Sequence, residues 1–101
     1  MNIGRAVREC RTRRGLTQKE LAAGSGLDPS YVSLIESGRR IPSLDVLTRV
    51  AEYMAIPVYM MVLLGCDDDD LVIAGDRERA YRVLDKITRS MPPAKVTRKA
   101  S

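Results

Sequence analysis

The chain contains no histidine, phenylalanine or tryptophan among its 101 residues. Without histidine, the sequence lacks the most frequent general base and the most frequent metal ligand of proteins. No nucleophile–base pair is recognisable, and the chain is too short for large catalytic folds such as α/β barrels. These absences argue against an enzyme, and we expect neither a cofactor nor a bound metal.

Long apolar segments are absent as well. The longest, residues 58–64, is far below the roughly 18 residues that a membrane-spanning helix needs, and the N-terminus lacks the apolar stretch of a signal peptide. Cys10 and Cys66 lie far apart and form no C-x-x-C motif, which is typical of free thiols in a reducing compartment. We expect a cytoplasmic protein without membrane contact, with Cys10 in its core.

Charge is distributed unevenly along the chain, which has 17 basic and 13 acidic residues. Residues 1–42 carry eight basic and four acidic side chains, whereas residues 43–75 carry one basic and six acidic ones. A basic segment beside an acidic one is typical of a protein with one surface for an anionic polymer. In the N-terminal basic run, Arg13 and Arg14 are candidates for phosphate contacts, with a merely solvated surface as the alternative.

The first two helices are delimited by local signals. Apolar residues at helical spacing predict a first helix over residues 3–14, which Gly15 ends. Thr17 and Glu20 have the spacing of a capping box, in which each side chain bonds the other's backbone N–H. They predict a second helix that ends near Ala23, before a glycine-containing turn.

Three further helices follow at similar intervals. Asp28 is the expected N-cap of a third helix over residues 29–37, with a proline at its first position. Ser43 is the expected N-cap of a fourth helix, whose apolar face begins at Leu44. A short, very apolar fifth helix is predicted over residues 57–65.

The composition divides the chain into four parts. Residues 1–65 are predicted to form a five-helix domain, and residues 66–75 an acidic linker. A sixth helix is predicted over residues 76–91, followed by a disordered basic tail over residues 92–101. The expected fold class is therefore all-α.

Two short helices joined by a tight turn, within a five-helix unit, indicate a helix-turn-helix. The segments LTQKELA (16–22), GLDPSYVSLIESGRR (26–40) and PSLDVL (42–47) occur in order. In these motifs the chain resembles the phage-repressor-type (Cro/cI, XRE) helix-turn-helix family over about residues 3–64. The resemblance implies a repressor-like domain that binds double-stranded operator DNA, usually as a homodimer.

The resemblance also implies roles for individual residues. Those expected to face base edges lie on the third, or recognition, helix: Asp28, Pro29, Ser30, Tyr31 and Leu34. Those expected to contact phosphates flank that helix: Gln18, Arg39 and Arg40. An ion pair between the first and third helices is expected from Arg11 and Glu36.

The expected base-facing set has no long amide or cationic side chain, the kind that reads purines by bidentate hydrogen bonds. Base reading is therefore expected to rest on hydrogen bonds of Ser30 and Tyr31 and on apolar contacts of Pro29 or Leu34 with thymine methyl groups. DNA shape would contribute the remainder.

An apolar stripe close to heptad spacing follows the sixth helix: Ala80, Leu84, Ile87 and Met91. This stripe predicts pairing with the same helix of a second copy. The alternative is that the helix packs on its own fifth helix, over Met60, Met61 and Leu64.

The sequence therefore predicts a sequence-specific transcription regulator, a repressor in the first instance, that binds a palindromic operator as a homodimer. The alternative is a protein-interaction module, such as an antitoxin or anti-repressor, whose sixth helix binds a partner protein.

Overall fold

The structure, a computed structural model, describes residues 1–66 and 76–90. Its secondary structure in these ranges is entirely helical, which confirms the all-α class. The helices are α1 (Ile3–Arg13), α2 (Gln18–Ser25), α3 (Pro29–Glu36), α4 (Leu44–Met54), α5 (Val58–Gly65) and α6 (Asp76–Ser90). Most of the expected acidic linker and the expected basic tail lie outside the described residues.

The helix starts follow the local signals of the sequence. Thr17 and Glu20 form both bonds of the capping box, Asp28 caps α3, and the Ser43 side chain caps α4. The end of α2 differs from the prediction, because the helix continues to Ser25 rather than ending near Ala23. It ends there because Gly26 adopts the left-handed conformation, with φ of 70°, which glycine reaches without steric cost.

The core is formed by the inward faces of α1 to α5, to which α6 adds Leu84. Helix α1 packs against α5 and α3, while α2 packs against α3 and α4. The largest of the fully buried side chains are Leu21, Ile35, Met54, Met61, Leu64 and Leu84, and each such burial contributes about 1.5–3 kcal/mol. Leu44 does not join them, because it occupies the first turn of α4 and is 70% exposed.

One buried carboxylate connects α1, α2 and α3. Glu36 accepts hydrogen bonds from Arg11 Nε at 2.7 Å and Arg11 Nη2 at 3.0 Å, and a third from Gln18 Nε2 at 3.0 Å. Arg11 also donates to the carbonyl of Leu16 at 2.7 Å. Since the side chains of Arg11 and Glu36 are only 13% and 3% exposed, this ion pair is largely shielded from water.

Helix α6 packs on α5 and is linked by side chains to α1. The Tyr81 hydroxyl donates to Glu9, and the Arg13 guanidinium lies over the Tyr81 ring, 5.3 Å from its centre. Arg13 also pairs with Asp85 at 3.5 Å. Burial is the main cause that raises the pKa of Tyr81, and the hydrogen bond to Glu9 is the second. The hydroxyl therefore stays protonated and donates its hydrogen bond to the Glu9 carboxylate.

The placement of Leu84 corrects, for that residue, the prediction that it pairs with a second copy. Leu84 is fully buried, as part of the protein's own core. A side chain that is covered by its own chain offers no surface to a dimer partner or to another protein. Leu84 therefore agrees with the alternative prediction, in which α6 packs on α5. The side chains of Ala80 and Ile87, and all of Met91, lie outside the described residues.

Within the described ranges, no helix is both long and apolar enough to cross a membrane by itself. Helices α4 and α5 meet those two criteria only when taken together, and they are bent by 110° where they join. Cys10 is fully buried in the core, as expected, and burial raises the pKa of its thiol to about 12.

Gly4 allows α1 to lie close to the end of α3. A Cβ atom at Gly4 would stand 2.2 Å from the backbone carbonyl oxygen of Ile35. We expect Gly4→Ala to lower the free energy of unfolding by about 1–3 kcal/mol, although alanine is the better helix former by roughly 1 kcal/mol. Urea unfolding would measure the change, with Arg8→Ala on the exposed side of α1 as control. An unchanged or raised stability in Gly4→Ala would contradict this close approach.

The Glu36 network makes a second prediction. Glu36→Ala would leave the buried Arg11 guanidinium without its counter-charge, which costs about 3–5 kcal/mol for a well-buried pair. Arg49→Ala is the control, since the Arg49–Asp45 pair is 3.0 Å long but its side chains are 52% and 73% exposed. Its loss should cost at most about 1 kcal/mol. Equal melting temperatures for the two variants would disprove a stabilising role of the network.

Candidate nucleic-acid interface

Helix α3 presents one face to the core and the opposite face to solvent. Val32 and Ile35 are buried beneath it. The exposed positions recur at helical spacing along the other face: Pro29, Ser30, Ser33, Leu34 and Ser37. Because α1 and α2 pack against the inner face, the outer face is exposed to solvent.

The N-terminal tip of this face presents hydrogen-bond acceptors. Asp28 accepts from the Ser30 backbone N–H at 2.9 Å and from the Ser30 hydroxyl at 2.6 Å. These bonds, the side-chain bond first, lower the pKa of Asp28, so the carboxylate is ionised. Because an ionised carboxylate can only accept, the Ser30 hydroxyl must donate its hydrogen to Asp28. The hydroxyl oxygen of Ser30 then has only lone pairs left for other partners.

Two arginines follow α3 after a turn at Gly38. The backbone N–H groups of Arg39 and Arg40 both bond to the Leu34 carbonyl, at 3.0 and 3.2 Å. Both side chains are exposed. The Arg40 guanidinium lies over the ring of the half-buried Tyr31, 5.7 Å from its centre. The arginines therefore stand beside the outer face, while Tyr31 stands on its flank.

Gln18 occupies the first position of α2, and its side chain extends to Glu36 at the end of α3. One hydrogen of its amide nitrogen is donated to Glu36, as described above. An amide nitrogen carries two hydrogens. The Gln18 amide is therefore fixed in place, with a second N–H available for a phosphate oxygen.

Two of the predicted phosphate contacts, Arg14 and Arg13, are partly enclosed by their own chain, and their contact with phosphates stays a prediction. Arg14 is buried, with 9% of its surface exposed. The Arg13 guanidinium lies over the Tyr81 ring and pairs with Asp85 of α6 at 3.5 Å, with 32% of its side chain exposed.

Two serines of the outer face were missed by the sequence reasoning. Ser33 and Ser37 lie on the same exposed side as Ser30, and the Ser37 hydroxyl donates to the Leu34 carbonyl at 3.1 Å. Their helical spacing from Ser30 would have predicted both, but serine is short, unlike the long polar side chains that were considered as base readers.

An apolar groove of about 470 Å³ lies beyond the end of α3. Its lining includes Ile35 and Arg40 together with Ile41, Leu44 and Val62. Ile41 is 87% exposed and Leu44 is 70% exposed, so apolar surface on the rim of the groove faces water. Within residues 1–66 and 76–90, His, Cys, Asp and Glu side chains form no group of three that could hold a metal ion.

The helix-turn-helix family model matches residues 7–59, a range that includes all of α2 and α3. The immunity repressor protein of Bacillus phage phi105 is 39% identical over 62 residues, which are 61% of this chain and 43% of the repressor. The uncharacterized HTH-type transcriptional regulator y4dJ of Sinorhizobium fredii is 35% identical over 54 residues, covering 54% of this chain and 70% of the regulator. The chain spans about two fifths of the length of several curated relatives that it matches.

A solved structure agrees with these matches. The restriction-modification controller protein C.AhdI from Aeromonas hydrophila is 40% identical and superposes with a TM-score of 0.58, covering 59% of this chain and 91% of the controller. By their names, the three relatives are a repressor, a transcriptional regulator and a controller protein. With the family model matched over more than half of the chain, the protein belongs to the XRE-type helix-turn-helix family of DNA-binding transcription regulators.

Proposed function

We propose that the protein is a sequence-specific regulator that binds a palindromic operator as a homodimer, through the outer face of α3. The observation that carries the proposal is the exposure of that face, between the Asp28 tip and the exposed Arg39 and Arg40. A dimer bound over a promoter excludes RNA polymerase, so repression follows where the operator overlaps the promoter. We place the protein's action in the cytoplasm.

Phosphate contacts would fix the protein on the duplex, and the groups available for them flank α3. Gln18 keeps an N–H at the start of α2, while Arg39 and Arg40 are exposed beyond the end of α3. Contacts of this kind set the register of a protein on DNA without reading its sequence. They leave base selection to the outer face of α3.

The chemistry of that face suggests which bases it selects. Acceptor oxygens of Asp28 and Ser30 fit a base edge that donates in the major groove, of which cytosine N4 is the standard partner for a carboxylate. Guanine and thymine present acceptor atoms in the major groove, and the acceptor oxygens of Asp28 and Ser30 would repel these atoms. Pro29 and Leu34 are apolar and suit a thymine methyl group.

Selection of bound duplexes from a random DNA library tests the function. We expect enrichment of a two-fold symmetric motif with half-sites about 34–36 Å apart. Asp28→Asn keeps a good helix cap but adds an amide donor, so the cytosine preference at one base pair of each half-site should fall by about ten- to a hundredfold. Leu34→Ala is the control and should alter a different base pair. A library that yields no enriched sequence would refute specific binding.

The dimer surface that we propose is the apolar groove beside α3. Its exposed rim residues Ile41 and Leu44 give a second copy apolar area to cover, and the groove adjoins the end of α3. Pairing at this point would hold two α3 helices side by side, as two successive major grooves require. The burial of Leu84 in its own chain leaves the groove as the better candidate.

Charge placed on the groove rim tests this dimer. We expect Ile41→Asp combined with Leu44→Asp to give a folded monomer in sedimentation, because two carboxylates would be buried in the dimer contact. Operator binding should weaken by at least about tenfold, since each half-site then binds alone. Val83→Asp is the control, at a position of α6 that is 43% exposed and not part of the groove. If the doubly substituted protein stays dimeric, the interface lies elsewhere.

A further inference from the structure

Tyr31 lies at the edge of the outer face of α3 and has an aromatic face turned to a cation. Its ring is half-buried, packs against the protein core and lies beneath the Arg40 guanidinium. The sequence suggested a different role, in which the Tyr31 hydroxyl reads a base edge. This cation–π contact gives the Tyr31 ring, rather than its hydroxyl, a partner among the exposed groups beside α3.

The path of the backbone explains how a residue nine positions later reaches this ring. Gly38 turns the chain with φ of 81°, and the N–H of Arg40 then bonds back to the carbonyl of Leu34. The backbone of Arg40 is thereby tied to the last turns of α3. From there its side chain extends along the helix towards Tyr31, which is one helical turn before Leu34.

Stacking leaves the arginine able to bind DNA. A guanidinium carries five N–H donors in a planar fork, so a single aromatic ring on one side leaves donors free to point away from it. A free arginine side chain loses considerable rotamer entropy when it is fixed on a phosphate. The ring removes part of that loss before binding, and the phosphate donors remain exposed. Arg39 has no such ring contact within the described residues.

We propose that Tyr31 is a positioning residue, whose ring holds the Arg40 guanidinium in place for a DNA phosphate beside the recognition helix. This inference rests on the proposed DNA binding through α3. It assigns to Tyr31 a contribution to affinity for all duplexes rather than to the choice among bases. It also distinguishes two adjacent arginines, since Arg40 is supported by a ring and Arg39 is not.

A double-mutant cycle tests the proposal on the full chain, with dissociation constants measured on one operator and one random duplex between 50 and 200 mM salt. Tyr31→Phe keeps the ring and should bind both duplexes as tightly as the parent. Tyr31→Leu removes the ring and should weaken both by about two- to fivefold, the value of an exposed cation–π contact. Arg40→Ala should reduce the slope of log K against log salt by about 0.9.

Coupling decides between positioning and a merely structural role. In the Arg40→Ala background, Tyr31→Leu should have no further effect, whereas its effect should be retained in full with Arg39→Ala. Sedimentation and thermal unfolding establish that the variants share one oligomeric state and fold. Equal losses for Tyr31→Phe and Tyr31→Leu, or an undiminished effect of Tyr31→Leu in Arg40→Ala, would overturn the inference. A parent protein without salt-dependent DNA binding would overturn the proposed function itself.

Discussion

The bidentate ion pair between Arg11 and Glu36 is the interaction on which the geometry of the interface depends. It joins α1 to the last residue of α3, and the third donor on Glu36 comes from the start of α2. A carboxylate that is 3% exposed would be costly without partners, and its three hydrogen bonds compensate its lost hydration. The inner end of α3 is thus held by charge and the inner face by apolar packing. Nothing in this arrangement covers the outer face.

Local features of the fold could be predicted from the sequence, and long-range ones could not. The caps at Thr17, Asp28 and Ser43 depend on residues at most three positions away, so their spacing alone predicts them. Leu44 has the helical phase of a core residue, yet it begins α4 at the rim of a groove. Leu84 lies at heptad spacing, as expected of a helix that pairs with a second copy, yet the surface that covers it belongs to its own chain. Periodicity identifies an apolar face but not the surface that will meet it.

The candidate site shows the same division. Motif register placed Pro29, Ser30 and Leu34 on one exposed face, and the structure has them there. It could not reveal that the Ser30 hydroxyl hydrogen is held by Asp28, because that depends on a contact between two rotatable side chains. Nor could composition separate Arg14, which is buried, from Arg39, which is exposed, since both are arginines in basic segments.

The two-sided use of α1 bears on where the folding unit ends. Arg11 ties α1 to α3, while Glu9 and Arg13, on another side of the same helix, hold α6. Since Leu84 is fully buried, removing α6 would open part of the core to water. A protein shortened after α5 would therefore be less stable and would expose an apolar surface that is prone to aggregation. We therefore expect the cooperative unit to extend through α6, whereas motif and composition predict a boundary at residue 65.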